Sequence, residues 1–240
     1  MKDGRLLFAH YALMPNRLGY CGGSDAQTLF DYCEAGESDR GMDPLIHQFQ
    51  AAFPYLQFIA RSNKIANPLD PRVVEAYWIG NQLLDRVEMA SFYNYLLEKI
   101  GPKVAPKAIK YLIGKAPAGA RPHHSFHVLD VSMRTGALRE NIEDLDHCRI
   151  SWGLVDRVDG DFLVVWRQPL QFQEGLLALG DPEEYRCFYR AGGRGYLDTP
   201  QPGEMVSLHW EWVCDRLDQP QVVALEGQTR FHLELANQTL

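Results

Sequence analysis

The sequence has no long apolar run and no surplus of basic residues. Its 240 residues include 24 Lys and Arg against 31 Asp and Glu, which gives a formal net charge of -7. Because no stretch reaches about 18 consecutive apolar residues, the sequence predicts no membrane-spanning helix. Without a basic run to neutralise phosphates, neither nucleic acid nor an anionic membrane is expected as a partner.

Cysteine is scarce, and its spacing is not that of a disulfide framework or a structural zinc cluster. No Cys-x-x-Cys pair occurs, and the odd number of widely scattered cysteines is typical of reduced thiols. The cysteines are Cys21, Cys33, Cys148, Cys187 and Cys214. Residues 1–15 also lack the small-residue cleavage site of a secretory signal. We therefore expect a cytoplasmic protein.

Helical patterns dominate the first part of the chain. Predicted helix starts lie at Ser24 or Asp25, at Asp43 and at Asp70, the last two followed by proline, which suits the first helical position. Gly80 is a predicted helix end. The pattern predicts an all-α helical bundle for an N-terminal domain of residues 1–120.

The period changes after the Ala- and Pro-rich stretch 116–122. Residues 121–147 are predicted as a connector, strand-like over 126–131 and polar or weakly helical over 137–146. Strand patterns dominate from position 148, so residues 148–240 are predicted as a small OB-like β-barrel followed by a C-terminal helix. The predicted fold class of the whole chain is α+β.

Three local signals define the C-terminal segment. Asp159-Gly160 lies between two apolar runs and predicts a β-hairpin. Residues 205–213 alternate apolar and polar side chains, which predicts a single strand with His209 on its outward, polar face. Asp218, with a proline two residues later, predicts the start of the last helix.

Cys148 and His209 bracket the β-rich segment and are the main candidates for metal ligands. A thiolate and an imidazole are good donors for a borderline or soft metal, but two ligands do not close a structural zinc site. An arbitrary cysteine at the start of a strand is more often a small core residue. Both interpretations remain open on the residues alone.

Two short runs carry a resemblance to a known family. Cys148 is followed by Trp152 four residues later, by glycine five later and by valine seven later, and residues 203–209 read Gly-Glu-Met-Val-Ser-Leu-His. These runs resemble the cysteine motif and the Gly-Asp-x-Val-x-x-His motif of the HypC/HupF-type nickel-iron hydrogenase assembly chaperones, with tryptophan in place of the family's proline. The similarity extends from Cys148 to about residue 228. The whole chain also looks like a bacterial family encoded near hydrogenase genes.

The resemblance implies a chaperone that performs no catalysis. In that family the cysteine carries iron bearing cyanide and carbon monoxide ligands, so Cys148 is expected to bind the iron. His209 is expected beside it, as a ligand or as a proton partner. The implied partners are the hydrogenase large subunit precursor and a maturation scaffold protein. The family's cysteine becomes the first residue after Met removal, whereas Cys148 is internal.

A second candidate group consists of His123, His124 and His127. Spacings of three and four residues bring imidazoles together on a helix, but this stretch predicts a strand or loop, which favours a structural or interface role. The alternative is a metal- or cofactor-dependent enzyme that uses the helical domain and this region, for example to make or modify an iron ligand. A third hypothesis is an interaction module whose barrel has lost the metal.

Overall fold

The computed structural model describes residues 3–135 and 141–240. The α-helices are α1 (Gly4–Arg17), α2 (Ala26–Ala35), α3 (Met42–Ile46), α4 (Phe53–Ser62), α5 (Pro71–Trp78), α6 (Met89–Tyr95), α7 (Pro106–Gly114), α8 (His124–Phe126), α9 (Met133–Thr135), α10 (Ile142–Cys148) and α11 (Gln219–Asn237). Turns of 3-10 helix lie at Leu84–Arg86 and Gly101–Lys103, and π-helical turns at Leu96–Ile100 and His127–Ser132.

The strands follow α10 and precede α11. They are β1 (Ser151–Asp159), β2 (Phe162–Arg167), β3 (Leu170–Gln173), β4 (Leu176–Leu179), β5 (Glu183–Phe188), β6 (Met205–His209) and β7 (Trp212–Leu217). This order confirms the α+β class. None of the helices in the two described ranges has both the length and the apolarity needed to cross a membrane.

Most of the predicted helix starts are confirmed by their caps. The carboxylates of Asp25, Asp70 and Asp218 each accept a hydrogen bond from a backbone N–H in the first turn of α2, α5 and α11. The start predicted at Asp43 is wrong, because Asp43 lies inside α3. Its carboxylate instead pairs with Arg5, with Nε and Oδ1 2.6 Å apart. A tertiary ion pair has replaced the local cap.

The strand predicted over 126–131 is wrong, since α8, the π-helical turn and α9 form one helical segment over 124–135. The Nδ1 of His123 accepts a hydrogen bond from the Ser125 N–H and so caps this segment. The short apolar run with its two valines resembles a strand pattern, but here these residues are buried on several sides of a helix. Of the predicted connector over 137–146, residues 137–140 lie outside the described residues and the rest belongs largely to α10.

The β segment contains one predicted hairpin and one unpredicted hairpin. Strands β1 and β2 pair antiparallel across the Asp159-Gly160 turn, as predicted. The single strand predicted over 205–213 is wrong. Trp210 and Glu211 have φ of 51° and 60° and separate β6 from β7. Two positive φ values fit a tight hairpin turn, but glycine and asparagine usually fill those positions, so the sequence gives no turn signal.

Strands β1, β2, β5, β7 and β6 pair in that cyclic order. The β5–β7 contact is a single parallel pair, Phe188 with Trp212, whereas the other contacts are antiparallel ladders. Closure into a complete barrel depends on this pair and stays a prediction. Strands β3 and β4 form a separate two-stranded sheet that packs between α10 and α11.

One hydrophobic core contains side chains from both predicted domains. Phe8 and Tyr77 of the helical part share it with Trp212 and Leu225 of the C-terminal part. The division into 1–120, 121–147 and 148–240 stays a prediction. The shared core has a direct consequence, because it places α1 and α8 against the end of β6.

A buried charge cluster fixes the position of α10. The Asp146 carboxylate accepts hydrogen bonds from Arg149 Nε at 2.9 Å, Arg167 Nη2 at 2.8 Å and the Leu170 N–H at 2.9 Å. Burial acts to raise the pKa of Asp146, but the charges of Arg149 and Arg167 outweigh it and the pKa is lowered. Since α10 ends at Cys148, the cluster also fixes that cysteine.

We expect Asp146→Asn to lower the free energy of unfolding by about 3 kcal/mol, because it leaves two buried guanidinium groups without their anion. Urea unfolding at pH 7 measures this loss. Because its pKa is lowered in the folded chain, the Asp146 carboxylate stabilises the fold at every pH above its ordinary pKa of 3.8. This contribution disappears as the pH falls through the lowered pKa. The difference in unfolding free energy between parent and variant should therefore shrink below pH 4. Asp181→Asn, at an exposed position, is the control, and an equal loss there would contradict the assignment.

Candidate metal centre

Side chains of His124, Cys148 and His209 meet inside the protein. One potential ligand atom from each lies within 4.8 Å of the other two, and all three are buried. The residues come from three separate elements, the start of α8, the last residue of α10 and the last residue of β6. The structure therefore brings the predicted pair Cys148 and His209 together and adds His124 from the second candidate group.

His209 is buried, with 2% of its surface exposed, so the prediction of an outward-facing side chain is wrong. The reason is tertiary, since α1 covers this end of β6. The Nδ1–H donates a hydrogen bond to the Tyr11 carbonyl at 2.6 Å, because a carbonyl can only accept. The Nε2 atom has no hydrogen-bond partner among the described residues. A backbone carbonyl on one ring nitrogen and a lone pair on the other is the usual arrangement of a metal-binding histidine.

His124 has partners on both ring nitrogens. Nε2 lies 2.8 Å from the Cys148 carbonyl and Nδ1 lies 3.2 Å from the Tyr77 hydroxyl. The carbonyl requires a proton on Nε2, so the lone pair is on Nδ1 and accepts from Tyr77. One of these two hydrogen bonds must therefore break before His124 can bind a metal ion. Burial, followed by the proximity of His209, lowers the pKa of His124, and burial lowers the pKa of His209 to about 4. Both imidazoles are neutral at pH 7, the form that binds metals.

Cys148 ends α10, so the prediction that it begins a strand is wrong. Its thiol is shielded although the residue as a whole is partly exposed. Burial raises the pKa of the thiol far above its usual range, and the neighbouring Cys21 acts in the same direction. The Trp210 indole N–H lies close enough to oppose part of this effect. At neutral pH the sulfur keeps its proton until a cation displaces it.

Aromatic rings surround the three side chains. The Trp78 ring centroid lies 4.6 Å from that of His124 and 5.8 Å from that of His209. On the Cys148 side, Trp210 is covered by Tyr20, whose ring is stacked on it at 4.0 Å. The indole N–H of Trp78 has no acceptor within the described ranges, whereas that of Trp210 lies close to the Cys148 thiol. The site is thus a water-poor enclosure with one spare hydrogen-bond donor, from Trp78, and a second donor beside the sulfur.

The other two candidate histidines lie outside this group. His123 stacks on His232, with ring centroids 5.8 Å apart and an interplanar angle of 5°. His127 is one helical turn from His124, with ring centroids 6.3 Å apart, and contacts the edge of Tyr55. The structure brings neither to the sulfur of Cys148, and a metal role for these two residues stays a prediction.

Sequence reasoning missed Tyr11, Trp78 and Trp210 as parts of the site. Tyr11 contributes a backbone carbonyl, which has no sequence signature. Trp78 lies on a helix whose apolar pattern is that of ordinary core. Only Trp210, next to His209 in the sequence, was adjacent to a residue already selected.

Three donors, one sulfur and two nitrogens, leave at least one coordination position for another ligand. Thiolate and imidazole suit zinc, iron, nickel and copper, whereas magnesium and calcium prefer oxygen. The arrangement can hold a metal ion and can also present it to a second molecule.

Protonation of buried histidines should destabilise the fold in mild acid. Burial lowers the pKa of His232 to about 3 from its ordinary 6.5. Folding stability is therefore highest above pH 6.5 and falls as the pH drops towards 3. Between these values the imidazole binds a proton in the unfolded chain but not in the folded chain. We expect His232→Phe to flatten the fall in unfolding free energy between pH 6.5 and 4.5 by about 1.4 kcal/mol per pH unit. Urea unfolding at several pH values measures the slope, and a slope equal to that of the parent would contradict it.

Comparison with known proteins gives one result. The model of a family described as "Family of unknown function (DUF6390)" matches residues 1–240. A search of curated proteins and a search of solved structures each find no match.

Proposed function

We propose that this chain, which belongs to the DUF6390 family, is a metal-binding accessory protein that holds one transition-metal ion between His124, Cys148 and His209. The observation that carries the proposal is their convergence within 4.8 Å in a buried site. The unpartnered Nε2 of His209 supports it, because a buried nitrogen without a partner is costly unless something binds there.

Binding of the ion is coupled to loss of a proton. The two imidazoles are already neutral at pH 7, whereas the Cys148 thiol is protonated. A metal ion must therefore displace one proton from the sulfur. Trp78, whose indole N–H is unpartnered among the described residues, lies beside the two histidines, and the Trp210 N–H lies beside the cysteine. Such donors can stabilise a thiolate or an anionic ligand of the ion.

We infer that the cargo is iron destined for a nickel-iron hydrogenase. The resemblance of residues 148 to about 228 to the HypC/HupF-type chaperones motivates this inference, and the proximity of Cys148 to His209 supports it. A buried site with free coordination positions suits iron bearing cyanide and carbon monoxide. The proposed partners are the hydrogenase large subunit precursor and a maturation scaffold protein in the cytoplasm. The role requires no catalytic turnover.

Metal binding is tested by anaerobic titration of the purified protein with Co²⁺, which reports thiolate coordination through near-ultraviolet charge-transfer absorption. We expect one ion per chain and release of one proton at pH 7. Cys148→Ser, His209→Gln and His124→Gln should each weaken binding by at least about 100-fold, since even loss of a supporting partner costs 10- to 100-fold.

Two matched variants serve as controls for this titration. Cys21→Ser removes a neighbouring thiol, and His127→Gln removes a neighbouring imidazole, but neither belongs to the group of three. Both should bind Co²⁺ like the parent. Metal that is retained in Cys148→Ser and lost when His123 and His127 are changed would instead favour the enzyme alternative.

The cargo is tested by purifying the protein without oxygen from cells that express the hydrogenase maturation machinery. We expect infrared bands in the cyanide and carbonyl stretching region and co-purification of the large subunit precursor or the scaffold protein. Cys148→Ala should abolish the bands and lower hydrogenase activity. Unchanged activity in this variant, together with iron-free protein, would refute iron carriage while leaving metal binding itself to the cobalt titration.

A further inference from the structure

His127 lines a cleft of about 600 Å³ in the helical part of the protein. None of the three proposed metal ligands lines this cleft. Its volume falls in the range of small-molecule binding sites, which is about 300–1,000 Å³. Apolar wall residues include Ala51, Pro54, Ile100 and Val131. The cleft therefore offers an apolar surface large enough for a ring or a short alkyl chain.

Two π-helical turns contribute residues to this cleft. Ile100 comes from the turn Leu96–Ile100, and His127 and Val131 come from the turn His127–Ser132. A π-helical turn is rare because it disturbs the regular backbone hydrogen bonds, and it occurs frequently at functional sites. Two such turns meeting at one cleft are hard to explain by packing alone.

Two residues of the cleft wall, Tyr95 and His127, carry polar atoms without a hydrogen-bond partner among the described residues. Tyr95 is 6% exposed and lines the cleft, yet its hydroxyl has no hydrogen-bond partner in the described part of the chain. The Nδ1 of His127 is likewise buried without a partner there. The Tyr55 ring packs beside both, with its centroid 5.3 Å from that of Tyr95 and 5.6 Å from that of His127. Its hydroxyl is also unpartnered among the described residues, but Tyr55 does not line the cleft. A ligand with oxygen atoms can satisfy such groups, because hydroxyls donate and accept.

The rim of the cleft carries more positive than negative charge. The cleft is lined by two lysines, Lys99 and Lys103, and by one carboxylate, that of Glu98. All three side chains are exposed. Neither lysine forms an ion pair within residues 3–135 and 141–240. Lys103 is close enough to His127 for its charge to contribute to the low pKa of that imidazole, after the larger effect of burial.

We propose that this cleft binds a small carboxylic acid with an apolar body. The apolar body packs against Pro54, Ile100 and Val131, and the carboxylate pairs with Lys99 and Lys103. The site is distinct from the metal site, although His127 is in ring contact with the ligand His124. The inference does not depend on metal binding.

Benzoate and hexanoate are suitable probes, one with a ring and one with a chain. Two-dimensional NMR of the ¹⁵N-labelled full chain should show dose-dependent shifts at Lys103, His127 and Val131. Benzylamine, with the opposite charge, should shift none of them. If neither acid shifts these signals, or if benzylamine binds as well as benzoate, the proposal is overturned.

Two pairs of variants locate the binding. Lys103→Met should weaken binding of the acids by about fivefold, the effect of losing one exposed ion pair, whereas Lys107→Met, exposed and outside the cleft, should not. Ala51→Phe should block the cleft, and Ala26→Phe, a similarly half-buried alanine elsewhere, is its control. Far-ultraviolet circular dichroism checks that each variant is folded. Equal affinities within both pairs would overturn the assignment.

The same titration in metal-free Cys148→Ala separates this proposal from the metal site. Binding of the acids should survive in that variant, because no cleft residue is changed. Loss of acid binding there would overturn the claim of a distinct site, while failure of cobalt binding in the parent would affect only the metal proposal.

Discussion

The hydrogen bond from His209 Nδ1 to the Tyr11 carbonyl joins the helical part of the chain to the strand part at the point where the site lies. It is reinforced by the Tyr11 hydroxyl, which lies 2.9 Å from Ser207 Oγ on the same strand. Both contacts are buried, so neither partner can exchange them for water without cost. Because α1 is held against β6 in this way, His209 is enclosed and its proton is fixed on Nδ1. The direction of its Nε2 lone pair follows from this contact.

Burial then determines the charge state of the site. Low polarity disfavours imidazolium and thiolate alike, so the two histidines are neutral and the cysteine is protonated. The three side chains therefore carry no net charge. A metal ion can change this protonation state only at the sulfur, where it replaces a proton. Metal binding is consequently weakened as the pH falls. In addition, an enclosure that disfavours isolated charge favours an ion that is bound together with a compensating anion.

Local chemistry explains which parts of the fold were predictable. The caps at Asp25, Asp70 and Asp218 and the Asp159-Gly160 turn depend on residues a few positions apart, and their signals were correct. Two of the failures have a distant cause. Asp43 pairs with Arg5, 38 residues away. The Trp210-Glu211 turn uses a backbone conformation that tertiary contacts must hold, including the 2.9 Å hydrogen bond from the Trp210 N–H to the His147 carbonyl.

The same division applies to the site. Cys148 and His209 were selected from spacing within one segment, and the structure places them together. His124 was selected for a different group, because only the packing of α8 against α10 and β6 shows which of three neighbouring histidines reaches the sulfur. The neutral state of His209 could not be predicted from the sequence either, since an alternating strand pattern does not reveal that α1 covers the polar face of the strand.

The origin of the three side chains in separate elements has a mechanical consequence. An ion shared by His124, Cys148 and His209 would act as a reversible cross-link that closes two long loops of the chain, 124–148 and 148–209. Because such an ion binds the folded chain and not the unfolded one, it adds to stability in proportion to the logarithm of the free metal concentration. The loaded chain would then outlast the empty chain in the presence of proteases, so that the abundance of the protein itself would report the supply of its ion.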